Sequence, residues 1–449
     1  MMFQPKRRQP DSLHRRRGAA LLMVLWVVTI GAVLLGSMRL ATQVALTIAY
    51  GEVESVQAYW LARAGVEQAI AVLSDDDDEV DSQEDYWYSD TDSFESFELG
   101  DGHVFDVYGQ PGANDPPDEP RYGLDDLSGR VNLNAANAKQ LEKLDLLTDR
   151  QISAILDWRD SDNEARPGGA EMRHYQRLEF PYNIRNDKFQ TMRELLLVRD
   201  VSFYDLTGED VNTDGVLDEN ENDGEKTWPK DQSDGRLAKG LWHHTTIYSY
   251  TDNKKTPSGF DDRVNMATVE AENIPDRFNF SDELAKAVAD RNWKSNNSTL
   301  TDLTKAKAPG GGKSKDGEPL KEISLQWVGD HLDEMSMTDD EVVLGRINVN
   351  TASREVLLTV PGLTDKAVDK ILSYRESASG PANTVGDLLR HGALTDAQFK
   401  LAAEKLKVQS NVFSLTSRGR TRSGVTCVIH AVIDRGGNLP VIRYWHQSE

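Results

Sequence analysis

A stretch near the middle of the chain has the residue types and spacing of a calcium-binding loop. Residues 210–221 read DVNTDGVLDENE and match the pattern D-x-[DN]-x-[DN]-G-x5-E. In that pattern, alternate residues supply oxygen ligands and the final glutamate supplies two. The predicted ligands are Asp210, Asn212, Asp214, the Val216 carbonyl, Asp218 and Glu221. The pattern favours a structural Ca²⁺ ion, and the alternative is an acidic turn without metal.

A second site of chemistry is predicted near the N-terminus, where a peptidase could cut the chain. Arginines at positions 15–17 precede Gly18, and residues 19–37 are apolar or glycine apart from two hydroxyl residues. As a helix this segment would rise about 28 Å, close to the thickness of a bilayer core. A secretory signal peptide has a shorter apolar core that ends in its cleavage site. A cut between Gly18 and Ala19 would instead leave the whole apolar helix on the mature chain.

This arrangement resembles the leader of a type IV prepilin. Major pilins carry a glutamate five residues into the mature chain, but counting from Ala19 that position is Met23. Among the pilin-like proteins of type II secretion, the minor pseudopilin K class lacks this glutamate. A subunit without it cannot pair with the N-terminal amine of a neighbour, which suits a position at the tip of a fibre.

Composition restricts the possible functions of the 449-residue chain. Its formal net charge of −23 disfavours nucleic acid, which proteins bind through basic patches. Cys427 is the only cysteine, so no intramolecular disulfide can form. No catalytic triad, paired catalytic carboxylates or cofactor fingerprint is recognisable in the sequence, so we expect that the protein is not an enzyme.

The sequence contains an internal repeat. Residues 129–160 and 345–376 align, each with an Asn-rich opening, a helix, a tight turn and a second helix. Both resemble helix-hairpin-helix modules, which often bind DNA phosphates through a glycine-containing turn at a helix N-terminus. The first turn has no glycine and carries Asp145, which would repel phosphate, so we expect packing rather than DNA binding. Residues 263–265 echo the Asn-rich opening and indicate a degenerate third unit.

The residues after the first helix pair make the resemblance specific. Several short motifs follow one another in a fixed order: DWRD at 157–160, GGAE at 168–171, then a Tyr, a Pro-Tyr pair and an EL-L-V pattern. This order resembles the α-helical domain of the type II secretion minor pseudopilin K family. That resemblance implies an α+β fold. A long N-terminal transmembrane helix would pack on an antiparallel pilin-type sheet, and a large α-helical domain with two helix-hairpin-helix-like repeats would be inserted in that sheet.

The predicted domains follow from these patterns. They are a leader (1–18), a transmembrane helix (19–37), the periplasmic half of the spine helix (38–74), a pilin-like sheet (93–123 and 411–449), a first α domain (124–204), an insertion with the calcium motif (205–341) and a second helix-hairpin-helix-like unit (342–408). The segment LWHHTTIYSYTDN at 241–253 predicts a strand with His243 and His244 on opposite faces, which disfavours a shared metal.

The resemblance also implies a function and partners. It implies a minor pseudopilin that caps the periplasmic pseudopilus and is held in the inner membrane by one helix, with the bulk of the chain in the periplasm. Its partners would be the other minor pseudopilins (the I, J and H classes), secreted substrates and the prepilin peptidase, which would cut after Gly18 and N-methylate Ala19. The alternatives are a membrane-anchored helix-hairpin-helix protein for DNA uptake and a minor pilin of a type IV pilus.

Overall fold

The structure is a computed structural model and describes residues 13–76, 79–112, 115–228, 230–256, 262–295, 297–309, 318–437 and 439–448. Most of the predicted leader therefore lies outside the described residues. The α-helices are α1 Leu13–Asp75, α2 Thr91–Phe94, α3 Ala138–Glu142, α4 Asp149–Arg159, α5 Met172–Tyr175, α6 Phe203–Thr207, α7 Leu241–His244, α8 Asp282–Ala289, α9 Leu325–Asp330, α10 Arg354–Thr359, α11 Asp365–Arg375, α12 Asp387–Arg390 and α13 Asp396–Ala402.

Most of the strands are short, and the long ones lie near the C-terminus. They are β1 Phe97–Gly100, β2 His103–Tyr108, β3 Asp125–Asp126, β4 Val131–Asn132, β5 Thr245–Thr246, β6 Thr251–Asp252, β7 Val264–Asn265, β8 Met335–Ser336, β9 Val342–Val343, β10 Ile347–Asn348, β11 Leu406–Lys407, β12 Val412–Arg420, β13 Thr426–Asp434 and β14 Val441–Ser448.

Helix α1 is continuous over 63 residues and has two different halves. Among the described residues, it contains the one helix segment long and apolar enough to cross a membrane, with a mean hydropathy of 2.4 over its most apolar window. None of that window is buried inside the structure. In the second half, small and aliphatic side chains at helical spacing are buried against the sheet: Ala58, Ala62, Val66, Ala69 and Leu73.

The sheet that receives α1 has the order β1-β2-β12-β13-β14, and all of these neighbours are antiparallel. Gly419 on β12 lets the helix approach closely, because a Cβ there would overlap the Ala58 carbonyl and the Ala62 amide of α1. Ser417 Oγ donates a hydrogen bond of 2.7 Å to the Ala62 carbonyl across the same contact. The predicted α+β fold class, with a long apolar helix on an antiparallel sheet, is confirmed.

The helical domain is inserted between strands that are adjacent in the sheet. The chain leaves the sheet after β2, touches it again at β3, and returns at β12, which pairs with both. The inserted residues form the larger hydrophobic core of the molecule, separate from the core between α1 and the sheet. Three two-stranded parallel pairs recur within the insertion: β4 with β5, β7 with β8 and β10 with β11.

Each parallel pair opens a unit with the same hydrogen bonds. The first asparagine of each opening accepts, through Oδ1, the amide N–H two residues later, at 2.8 Å (Asn132), 2.9 Å (Asn265) and 3.0 Å (Asn348). An arginine after the second helix donates to carbonyls of the opening segment in all three units: Arg159, Arg291 and Arg375. The degenerate third unit predicted at 263–265 is therefore confirmed.

The single strand predicted over residues 241–253 is wrong. Residues Leu241–His244 form the helical turn α7, and two short strands, Thr245–Thr246 and Thr251–Asp252, follow it. Thr245 Oγ1 donates to the Leu241 carbonyl at 2.7 Å and stabilises the turn. The alternation of side chains favoured a strand, but the chain must turn here to bring β5 parallel to β4.

A buried polar junction joins the helical domain to the far end of α1. Asp81 has no exposed surface and accepts hydrogen bonds of 2.6 Å from Arg435 Nη2 and from the Ser410 amide. Burial raises the pKa of Asp81 well above its ordinary value, and the charge of Arg435 opposes this rise. The Asn348 side chain donates to the Asp81 carbonyl at 3.1 Å, so the second helix-hairpin-helix-like unit, residues 342–408, is anchored just beyond the C-terminal end of α1.

Candidate functional site

The acidic loop, residues 210–221, follows shortly after α6 and ends in a 3-10 turn at Glu219–Glu221. Asp210 Oδ2 accepts a 2.8 Å hydrogen bond from the Gly215 amide, which closes the turn. Gly215 has a φ of +80°, a conformation that side chains with a Cβ adopt at a cost. A hydrogen bond thus links Asp210 and Gly215, the first and sixth positions of the predicted calcium motif.

The predicted ligands lie around one side-chain amide. Asn212 Nδ2 donates hydrogen bonds to Asp214 Oδ2 at 3.1 Å and to Asp218 Oδ2 at 2.9 Å. Glu221 accepts from the amides of Val211 and Asp218 at 3.0 and 3.2 Å. Within the described residues, the loop is not one of the places where three carboxylates bring oxygens within 4.8 Å of one another. The Asn212 amide group keeps the carboxylates apart and supplies partial positive charge between them.

Burial and crowding disfavour ionisation of these carboxyl groups. Burial raises the pKa of Asp214 to about 7, and the charges of Asp210 and Asp218 raise it further. The pKa of Glu221 is also raised to about 7, first by burial. A bound divalent cation would offset the cost of keeping these groups ionised.

Asp210 provides a direct test of whether the loop fits a metal. Its side chain has no exposed surface, and Oδ1 has no hydrogen-bond partner among the described residues. A buried carboxylate oxygen without a partner is costly, and a metal ligand is one of the roles that explains it. The set of carboxylate, amide and carbonyl oxygens fits Ca²⁺, which prefers oxygen ligands in flexible geometry.

His243 belongs to this site and was missed by the sequence reasoning. Its Nε2 atom lies 2.9 Å from Asp210 Oδ2, and both side chains are almost completely buried. Burial lowers the pKa of His243 and so disfavours the charged ring, while the neighbouring Asp210 opposes this shift. No signal in the sequence links the two residues, because helical turn α7 and the loop meet only in the folded chain.

The acidic loop also contacts the segment that leaves the pilin-type sheet. The Leu217 amide donates a 2.7 Å hydrogen bond to the Pro117 carbonyl. A Cβ on Gly215 would lie 2.6 Å from Gln110 Cγ, so glycine is needed for this close contact. The loop therefore joins the inserted domain to the residues that follow β2.

The residues of the predicted processing site, Gly18 and Ala19, lie within α1. Cleavage after Gly18 and methylation of Ala19 stay predictions, because they depend on an enzyme that acts on the chain. Met23, in place of the glutamate of major pilins, is exposed on the same helix.

Comparisons with known proteins match two parts of the chain. Residues 124–205 match the family model for protein K of the type II secretion system, and residues 342–407 match a helix-hairpin-helix motif. The predicted resemblance to protein K is therefore confirmed, and the chain contains a domain of this family. No curated protein matches the chain.

Among solved structures, the chain is similar to one in the GspK-GspI-GspJ complex of the enterotoxigenic Escherichia coli type 2 secretion system. The two are 13% identical, and the match covers 89% of this chain and 99% of that chain. The TM-score is 0.46, too low for this likeness to establish a common fold or function.

Proposed function

We propose that this chain, which contains a domain of the type II secretion protein K family, is a minor pseudopilin that caps the periplasmic pseudopilus. The other minor pseudopilins, of the I, J and H classes, would be its partners in the tip. The inner membrane would hold its apolar helix before assembly, with the bulk of the chain in the periplasm, and secreted substrates would meet it there. The function is structural, so we expect no catalysis.

The observation that carries the proposal is the position of the inserted domain. The bonds from the Asn348 side chain and the Ser410 amide to Asp81 hold this domain just beyond the C-terminal end of α1. If the apolar half of α1 anchors the protein, this end points away from the membrane. A subunit stacked above would need the space that the inserted domain fills.

The exposed half of α1 suits a helix that packs among others in a fibre core. Its apolar side chains from Leu21 to Tyr50 are more than half exposed, as expected for a segment stored in lipid and then buried against partner helices. Met23 leaves the chain without the carboxylate that would pair with a neighbour's N-terminal amine. A subunit stacked above this one therefore could not be attached through an ion pair between that carboxylate and an N-terminal amine.

The first experiment tests whether prepilin peptidase cleaves the leader. The protein is isolated from membranes with and without active prepilin peptidase, and its N-terminal sequence and mass are measured. A methylated chain that begins at Ala19 only when the peptidase is active supports the proposal. An uncut chain, or one cut beyond residue 37, would show that the helix is an ordinary anchor and would overturn it.

The tip position is tested separately with pseudopili assembled from the full set of subunits. An epitope tag after Ser448, beside the exposed edge strand β14, is labelled with gold and imaged by electron microscopy. Label at one end of each fibre supports the cap. Label along the fibre length contradicts it.

We propose further that the acidic loop binds Ca²⁺ and fixes the helical domain to the segment after β2. Asp210→Asn removes a buried ligand charge, whereas Glu219→Gln, at an exposed non-ligand position of the same loop, is the control. In detergent, Ca²⁺ should raise the thermal midpoint of the wild type and of Glu219→Gln more than that of Asp210→Asn. An equal rise in all three proteins would exclude the loop as a site.

DNA uptake is the competing function for the helix-hairpin-helix units. In the second unit, Asp365 and Asp369 follow the hairpin turn, and both already pair with Arg354. These carboxylates repel the phosphates of DNA. We expect no binding of duplex DNA by the full chain at low salt, and binding that falls steeply with salt would favour DNA uptake instead.

A further inference from the structure

A cavity of about 320 Å³ lies where the inserted domain meets the pilin-type sheet, and we name it the junction cavity. Four separate segments contribute to its wall: residues 83–88, which follow α1, residues 110–130, which include β3, residues 239–244, which include α7, and residues 351–375 of the second helix-hairpin-helix-like unit. Its volume is within the range of small-molecule sites in proteins. A ligand in this cavity would contact the sheet and the inserted domain together.

Four charged groups on the wall already balance one another. The Asp125 carboxylate accepts hydrogen bonds from Arg121 and Arg130, the latter at 3.0 Å. Asp126 accepts a 2.6 Å hydrogen bond from the Thr351 hydroxyl group. These two aspartates and two arginines together carry no net charge, so they leave no carboxylate for other cations on the wall.

Two further cations on the wall form no ion pair among the described residues. The Nζ atom of Lys239 has one hydrogen bond there, a long one of 3.4 Å to Gln110 Oε1, and burial lowers the pKa of this lysine. Arg375 donates to the Ala352 carbonyl at 2.7 Å, and its Nε atom is buried without a hydrogen-bond partner. Partly buried cations without a carboxylate in contact are costly, and a bound anion would offset that cost.

The remaining titratable groups on the wall do not remove this positive charge. Glu355 is exposed and forms no ion pair with Lys239 among the described residues, so solvent screens its charge. Burial lowers the pKa of His244 to about 4, so its ring is neutral near neutral pH, and burial also disfavours the charged form of His243. Lys239, Arg375 and Glu355 together leave one positive charge, in a chain whose formal net charge is −23.

The uncharged part of the wall suits an organic anion rather than a bare ion. Tyr88 and Pro111 are only partly buried and provide apolar surface, as small-molecule sites usually do. A short carbon chain can contact this surface while its charged end reaches Lys239 and Arg375.

We propose that the junction cavity binds a carboxylate group through Lys239 and Arg375, and that the bound group links the inserted domain to the sheet. A free organic acid and the acidic side chain of a peptide present the same group, and experiment distinguishes them. The site differs from the acidic loop in the sign of its ligand, because it takes an anion.

Binding is measured on the full chain in detergent by saturation-transfer NMR and thermal unfolding, with a chelator present so that Ca²⁺ does not contribute. The first probes are butyrate and the neutral butyramide. Butyrate should bind, raise the thermal midpoint and bind more weakly at high salt, whereas butyramide should do neither. Equal binding of the two would overturn the proposal, because the cavity would then not recognise a carboxylate.

Two peptides identify the source of the carboxylate, acetyl-Gly-Glu-Gly-amide and the same peptide with Gln in place of Glu. Binding of the Glu peptide but not of the Gln peptide supports an acidic side chain as the ligand. Binding of butyrate without the Glu peptide supports a free organic acid. Binding of neither butyrate nor the Glu peptide overturns the proposal.

Three variants test the assigned charges. Lys239→Gln should weaken butyrate binding by about tenfold or more, because it removes a hydrogen bond between charged groups. Glu355→Gln should strengthen binding by up to about fivefold, the size expected for an exposed charge. Lys366→Gln, at an exposed position of α11, is the control and should bind as the wild type does.

An unchanged affinity in a Lys239→Gln protein that is folded by circular dichroism would overturn the proposal. If Lys239→Gln does not fold, Glu355→Gln decides, because its exposed side chain can be replaced without disturbing the core. Butyrate affinity that Glu355→Gln leaves unchanged would then show that the anion does not lie in this cavity.

Discussion

The acidic loop and the group formed by Asp157, Asp160 and Glu171, named here the α4–α5 cluster, hold similar carboxylates but assemble them in opposite ways. The loop is one continuous segment whose spacing matches a calcium motif, yet the Asn212 amide lies among its carboxylates. The cluster has no linear motif, yet three carboxylate oxygens already lie within 4.8 Å. Linear spacing therefore identifies residues able to bind a cation, while convergence of their oxygens depends on how the chain packs.

The groups that balance charge differ in the same way. The loop uses a neutral amide from within its own segment. The cluster uses the charged Arg166 side chain, which contacts Asp157 and Asp160. In both regions a buried carboxylate oxygen is left without a hydrogen-bond partner among the described residues, on Asp210 in the loop and on Glu171 in the cluster. The comparison predicts that each region responds to calcium through this unpartnered group.

Alanine substitutions of one glycine in each region should give the largest effects. Gly169→Ala forces a Cβ into Asp157 Oδ2 and should destabilise the protein by about 3 kcal/mol, the upper end of the cost of overpacking. Gly215→Ala should cost about 1–2 kcal/mol for its positive φ, and more in total, because the added Cβ would also lie 2.6 Å from Gln110 Cγ. Thermal or urea unfolding measures both.

Gly235→Ala is the matched control for the loop glycine. Gly235 has a φ of +73° but no atom within 4 Å of the position of a Cβ. It should show only the conformational cost. Equal destabilisation by all three substitutions would contradict the close contacts assigned to Gly169 and Gly215.

Measurements on the calcium-free protein should sharpen the contrast between the two regions. Arg166→Gln leaves Asp157 buried beside two other acids and should lower the unfolding free energy of the calcium-free protein by about 1–3 kcal/mol. Saturating Ca²⁺ should recover most of that loss, because the ion replaces the guanidinium. If Ca²⁺ does not restore the stability of Arg166→Gln, Arg166 only pairs with Asp157 and Asp160 in the fold and no ion can replace it.

The pH dependence of the calcium-free protein follows from the raised pKa values. Glu171, Asp214 and Glu221 have a pKa of about 7 in the folded chain, above their ordinary values of 4.5, 3.8 and 4.5. The folded state therefore binds more protons than the unfolded state between about pH 4 and pH 7. These groups contribute stability at low pH that is lost as the pH rises through about 7.

We expect the thermal midpoint of the chelated protein to decrease over that range, unless other groups with the opposite dependence compensate. Glu171→Gln tests the contribution of one group, because it should make the decrease shallower. Asp234→Asn, at an exposed position, should leave the slope unchanged. A slope that Glu171→Gln does not alter would contradict the raised pKa.

The smallest effect is expected from Asn212→Asp in the acidic loop. A carboxylate in place of the amide removes two hydrogen bonds and adds a negative charge, so the calcium-free protein should lose about 0.5–1.5 kcal/mol. Its calcium affinity should increase, because another charged oxygen faces the ion. Calorimetry measures the affinity, and a decrease would show that the amide oxygen is the required ligand.

Local patterns in the sequence predicted the elements whose own residues determine them. The apolar run predicted the first half of α1, and the apolar spacing between Val53 and Leu73 predicted that the helix continues. The face that packs on the sheet was predicted only in part, because Val53, Val56 and Trp60 are exposed whereas small residues such as Ala58 and Ala62 are buried. The Asn-rich openings predicted three related units, because each asparagine bonds to the backbone two residues later. The single strand predicted over 241–253 was wrong, because Leu241–His244 form turn α7 and the strand β5 that follows pairs with β4, which is distant in the sequence.

By itself, the sequence determined what depends on neighbours along the chain: the membrane-length helix, the repeated openings, the type of sheet and the spacing of residues 210–221. Only the tertiary structure decided which distant groups meet. It placed His243 against Asp210, Glu171 against Asp157, and the inserted domain over the end of α1. The physical reason is that periodicity and spacing act through local geometry, whereas these contacts arise where buried polar groups from separate segments pack together.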